Sequence, residues 1–90
     1  MITWDERKRH ENLAKHGLDF AKAAAIFDGP LFTMEDTSEG YGEQRLRTLG
    51  LLAGRVVVLI WTEREAGPHL ISLRYGDKRE TQDFFLQLEP

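Results

Sequence analysis

No stretch constrains this chain more than the run Val56-Val57-Val58-Leu59-Ile60-Trp61. Successive strand residues point to opposite faces, so an unbroken apolar run rich in β-branched side chains needs cover on both faces. A central strand over residues 55–62 follows, carrying core and no chemistry. At six residues the run is far too short to span a bilayer. The segments around it complete a sheet. From Glu43 to Leu52 the alternation puts Arg45, Arg47, Leu49 and Leu51 on one face, and Ala53-Gly54 then turns the chain. After a second turn at Glu65 to Pro68, Leu70, Ser72 and Arg74 are expected on one face and His69, Ile71 and Leu73 on the other. Leu31 to Glu35 alternates weakly, and Asp36 to Gly42 reads as a loop.

Helices flank these strands. Ile2 to Trp4 is a short candidate strand, after which Thr3 with Glu6, or Asp5 itself, caps a helix that runs to about His16 and stops at Gly17. Asp19 caps a second helix with the stripe Phe20, Ala23, Ala24 and Phe27, ended by Gly29-Pro30. Asp77 and Glu80 have the spacing of a capping box ahead of Thr81, Phe84, Phe85 and Leu88, which makes Glu80 a cap before anything else. The order β-α-α-β-β-β-β-α, without repeats or linkers, predicts a single α+β domain over residues 1–90. Its architecture is a small antiparallel β-sheet packed by two N-terminal helices and one C-terminal helix. Phe20, Phe27, Val57, Leu59, Phe84 and Phe85 are expected to share one core.

Composition narrows the chemistry. The chain has no Cys and three scattered His, so a disulfide framework, a thiol nucleophile and a recognisable zinc spacing are all missing, and no cofactor is called for. There is no apolar signal core, and a cytoplasmic location without membrane contact is the expectation. The net charge of −3 argues against a general nucleic-acid coating protein. Its distribution is uneven. Asp28, Glu35, Asp36, Glu39 and Glu43 precede Arg45, Arg47, Arg55 and Arg64, a pattern that suits either a local cationic cleft or ordinary solubilising charge.

In the first helix Lys8, Asn12 and His16 recur at i, i+4 and i+8 and so share one polar, titratable face. The plain reading is a solvated flank with His16 resting against the negative end of the helix dipole. Read together, Trp4-Asp5, Lys8, Asn12, Lys15-His16-Gly17, Phe20, Ala23, Phe27, Arg45 with Gly50, Val56 to Ile60, Ile71-Ser72, Arg74 and Arg79-Glu80 resemble the BrnT family nearly end to end. That family is the toxin half of a bacterial type II toxin–antitoxin pair. The chain departs from its usual Arg-Ile-Ile-Ser-Ala-Arg-Lys-Ala, reading His69-Leu70-Ile71-Ser72-Leu73-Arg74-Tyr75-Gly76.

The resemblance implies a RelE-like fold and a ribonuclease that inhibits growth, silenced by a BrnA-like, ribbon-helix-helix antitoxin with which it represses its own operon. Operator DNA would be met only through the antitoxin. Metal-free RNA cleavage needs a base for the 2′-hydroxyl, an acid for the leaving 5′-oxygen and cations against the phosphorane charge. Imidazole is the side chain that ordinarily titrates near neutral pH, which makes His16 the proton-transfer candidate. Arg45 and Arg74 are the electrostatic candidates, with Lys8 beside them for phosphate or proton transfer. Asn12, Ser72, Arg47 and Arg79 are candidate substrate contacts, Arg79 because a cation in a first helical turn is poorly placed unless it meets an anion. Each Arg has a plain alternative in pairing with surface acids. Tyr41, Tyr75 and Trp61 are candidates for stacking on a base, with core or loop roles as the alternatives. The rival to catalysis is a non-catalytic protein-binding module of a repressor complex.

Overall fold

The apolar run lies inside β3 (Arg55–Arg64), the longest strand of the sheet in this computed structural model, which describes residues 1–36 and 42–89. β2 (Arg45–Leu52) and β4 (Gly67–Tyr75) pair with it on either side, and β1 (Phe32–Asp36) lies beyond β2. All four strands are antiparallel in the order β1-β2-β3-β4. Helix α1 (Glu6–His16), a 3-10 turn (Phe20–Lys22) and α2 (Ala23–Asp28) precede the sheet, and α3 (Lys78–Leu88) follows it. Much of the loop expected over Asp36 to Gly42, with Tyr41, lies outside the described residues, and Asp36 itself closes β1.

The sheet separates two apolar layers. Val57, Leu59, Leu70 and Leu73 pack against Leu18, Phe20, Ala23 and Ile26 on one face, whereas Val56, Val58 and Leu49 pack against Phe84 on the other. The single core expected from sequence is therefore two. Phe84 is fully buried but Phe85 is 46% exposed, because neighbouring helical residues point about 100° apart and only one of the pair can face the sheet. Phe27 is half-buried, edge-on to Trp61 at 5.5 Å.

Glycine sets two local geometries. A Cβ on Gly50 would lie 2.7 Å from Ile26 Cγ2, so the missing side chain is what lets α2 come down onto β2. Ala53 and Gly54 both have positive φ, 51° and 80°, the backbone of a tight hairpin whose twist matches its strands.

Three details differ from the sequence expectation. The segment Ile2 to Trp4 is not a strand but a single parallel bridge, Thr3 to His69, held by Thr3 N–H to Pro68 O at 2.9 Å and Leu70 N–H to Thr3 O at 2.8 Å. The second helix starts as a 3-10 turn, with Asp19 capping Ala21 N–H at 2.9 Å. In β4 the register passes from Ile60↔Ser72 to Trp61↔Leu70, which leaves Ile71 as a bulge. One inserted residue inverts the alternation, so Leu70 joins Leu73 in the layer under α2, while Ser72 and Arg74 still share a face.

Candidate active site

The site begins at the outer edge of β4, beyond the Thr3 bridge. An unpaired strand edge exposes backbone donors and acceptors, and here α1 covers it. Asp5 caps α1 through Arg7 N–H and Lys8 N–H at 2.8 and 3.2 Å, and Gly17 ends it in the left-handed region at φ 71°. Only Asn12 of α1 is buried. Its Nδ2 donates to Leu18 O at 2.9 Å and Leu73 O at 2.8 Å, and its Oδ1 accepts from Leu73 N–H at 3.0 Å. The amide thus does for Leu73 what a further strand would do.

The position of α1 is also fixed from its other side. Arg9 donates from Nε and Nη2 to Asp19 at 2.8 and 3.1 Å, and from Nη1 to Glu6 at 3.0 Å. The Arg9 guanidinium and the Ala21 N–H hold the Asp19 carboxyl down to about 2. Sequence reasoning missed Arg9, whose partner lies ten residues away and beyond the helix.

With α1 so placed, its polar face and the bulge enclose a cleft of about 220 Å³. Lys8, Glu11, Asn12, Lys15 and His16 line it from α1, and Ile71 and Ser72 from β4. Two consecutive β4 side chains reach the same cleft because the bulge suspends alternation there. The expected Lys8-Asn12-His16 face is present, with Asn12 buried at its centre, His16 half-buried and Lys8 exposed. The expected convergence on it is only partial, since neither Arg45 nor Arg74 lines the cleft.

The arginines form a second group on the sheet face under α3. Arg47 lies opposite Ile60, Ile60 opposite Ser72, and Arg74 two residues beyond Ser72 on the same face, roughly 7 Å along the strand. Glu80 joins them. Its carboxylate accepts from Arg74 Nη1 and Nη2 at 2.8 and 2.9 Å and from Arg47 Nη1 at 3.3 Å. The Arg74 hydrogen bonds hold Glu80 at about 2 and in turn raise Arg74 above the ordinary guanidinium range. Arg45 begins β2 opposite Asp36, two residues from Arg47 and on its face. Arg79 is exposed in the first turn of α3, away from the cleft.

Asn12 lines the cleft, but both its amide hydrogens and its carbonyl oxygen are engaged by main chain, which gives it a scaffold role. Trp61 takes the core role, with Nε1 donating to Thr48 Oγ1 at 2.8 Å and its ring against Phe27. Tyr75 is 38% exposed under the Arg55 guanidinium, which stands 3.7 Å from the ring centroid. His69 makes a 2.8 Å hydrogen bond through Nδ1 with Thr3 Oγ1, and burial, aided by Arg64, lowers its pKa. His10 is exposed on α1. Among the described residues no group of His, Cys, Asp or Glu is arranged to hold a metal ion.

Residues 4–80 match the model of the family described as ribonuclease toxin, BrnT, of type II toxin-antitoxin system. The chain belongs to the BrnT family. A comparison with curated proteins returns no match. The BrnT match takes in the whole of α1, the bulge, Arg45, Arg47, Arg74, Arg79 and the Glu80 cap, and it stops before the apolar part of α3. Membership of a type II toxin–antitoxin family brings an antitoxin protein as partner. No helix among the described residues is long and apolar enough to cross a membrane.

Proposed function

We propose that this BrnT protein is a metal-independent endoribonuclease whose cleft between α1 and β4 receives the scissile phosphate. The observation that carries the reading is the meeting of Lys8, Lys15 and His16 with Ser72, on a strand whose same face presents Arg74. His16 takes the 2′-hydroxyl proton, or returns one to the leaving 5′-oxygen, as the 2′-oxygen bonds to phosphorus and the 5′-oxygen departs. Lys8 in the cleft and Arg74 reaching toward it from beside Ser72 oppose the charge that builds on the phosphorane, Arg45 adds positive potential from the sheet face, and Ser72, Arg47 and Arg79 bind neighbouring parts of the RNA. A His with several cations, rather than grouped carboxylates, suits proton transfer and charge neutralisation.

The same reading has the protein act in the cytoplasm, slow growth when unopposed, and be neutralised by a ribbon-helix-helix antitoxin of BrnA type. An acidic chain of net charge −3 leaves operator contacts to that antitoxin. Four antiparallel strands with helices before and after them support a RelE-like fold. A second reading, a binding module without catalysis, draws on the exposed Phe85, Leu86 and Leu88 of α3.

The test is cleavage of purified RNA in EDTA by the chain freed of its partner. Arg74→Ala is expected to lose about 2–4 kcal/mol of transition-state stabilisation. His16→Ala should slow cleavage, and Ser72→Ala should matter less. Wild-type activity in a folded variant lacking His16, Arg45 and Arg74 would remove the site assignment, and no cleavage by the wild type would favour the binding module.

A further inference from the structure

Glu80 does more than a helix cap requires. The capping box itself is complete, with Glu80 N–H on Asp77 Oδ1 at 2.8 Å and Asp77 N–H on Glu80 Oε1 at 2.9 Å. That reciprocal pair needs no cation. Yet the same carboxylate, 13% exposed, also gathers one guanidinium from β2 and one from β4, across the intervening β3. Arg47, Arg74 and Glu80 by themselves carry a single net positive charge, with the Asp77 carboxylate also acting on Arg74.

The way Arg74 is held leaves it usable. Glu80 takes the end of the guanidinium through Nη1 and Nη2, and Nη1 also donates to Tyr75 O at 3.2 Å. No described residue accepts a hydrogen bond from Arg74 Nε, so Nε–H and the second Nη2 hydrogen still form one side-on fork. That fork has the geometry for two phosphate oxygens, and a planar group fixed at one edge presents the other in a set direction. Arg47 is braced as well, with Nη2 set against Met34 Sδ at 2.7 Å.

We propose that Glu80 is a positioning residue for RNA cleavage: it holds the Arg74 guanidinium, with Arg47 beside it, so that the free fork of Arg74 faces the phosphate bound next to Ser72. The proposal rests on the ribonuclease reading above and adds to it a residue that acts through Arg74 without touching RNA. It also carries a distinctive sign. Removing the Glu80 charge makes the site more cationic, which favours RNA binding, while it releases Arg74 from its orientation, which disfavours reaction.

Glu80→Gln tests this, because Gln still accepts from Asp77 N–H and keeps the capping box. The variant is expected to lose about 10- to 100-fold in kcat with KM for a short RNA unchanged or lower. Glu80→Asp, which restores the charge one methylene short, should recover part of the loss. In an Arg74→Ala background Glu80→Gln should cost nothing further. Nitrogen NMR of the Arg74 guanidinium should show restricted rotation in the wild type and free rotation in Glu80→Gln, a readout that needs no activity. Intact kcat in Glu80→Gln beside a slow Arg74→Ala would overturn the positioning role and leave the arginine assignment standing. Intact kcat in Arg74→Ala would overturn both. An equal further loss on the Arg74→Ala background, or a raised KM at full kcat, would also overturn it.

Discussion

An asparagine amide offers two N–H donors and one carbonyl oxygen, and Asn12 has all three engaged by the main chain of Leu18 and Leu73. A group so fully satisfied stabilises the fold, and its removal strands a buried N–H and two carbonyls. Asn12→Ala is therefore expected to cost about 2–4 kcal/mol in a urea melt, beyond the loss of an ordinary hydrogen bond. A variant with unchanged stability and only weakened RNA binding would return Asn12 to the substrate. Nothing in the sequence separated these roles. The i, i+4, i+8 spacing shows which face of α1 Asn12 shares with Lys8 and His16, but not that the face meets a strand edge.

At the scale of elements the strands were the most legible and their exceptions the least. β3 was evident from its apolar run, and the turn at Ala53-Gly54 from its position between two strand patterns. The bulge at Ile71 had no sequence mark, since Leu70-Ile71-Ser72-Leu73 reads as plain alternation. The hairpin turn carries a local cost. Ala53 at φ 51° sits in a region that L-residues other than Asn and Gly populate poorly. Ala53→Asn is expected to raise stability by about 0.5–1 kcal/mol, read as a higher denaturant midpoint at unchanged slope. A lower midpoint would mean that Ala53 makes a compensating contact. Gly50 shows the converse, a residue whose absent side chain is demanded by Ile26 rather than by its own strand.

Across the whole molecule, α3 is joined to the sheet by buried Phe84 on one turn and by Glu80 on another. That second link is acid-labile, and its direction follows from the shift. Glu80 falls from an ordinary 4.5 to about 2, so its stabilisation is complete above pH 4.5 and is lost as pH falls through 2. Asp19, bound by Arg9, loses its contribution in the same direction. Thermal melts of wild type and Glu80→Gln should be about 2 kcal/mol apart at pH 7, and the gap should close between pH 4.5 and 2. A gap constant over that range would show that the ionised carboxylate contributes nothing to it. Bound antitoxin should raise the melting temperature at every pH by mass action.

Periodicity and cap chemistry alone determined the order of the four sheet strands and the helices, though not that Ile2 to Trp4 is only a bridge, and they gave the central place of β3 and the capping box at Asp77 and Glu80, because these depend on residues close in sequence. They also showed that Lys8, Asn12 and His16 share a face and that Ser72 shares one with Arg74. Only the tertiary structure decided how these faces meet. The bulge at Ile71, the edge contact of Asn12, the division of the core into two layers and the grip of Glu80 on Arg47 and Arg74 all join residues distant in the chain. Such pairings are set by which surfaces pack together, and no local pattern encodes them.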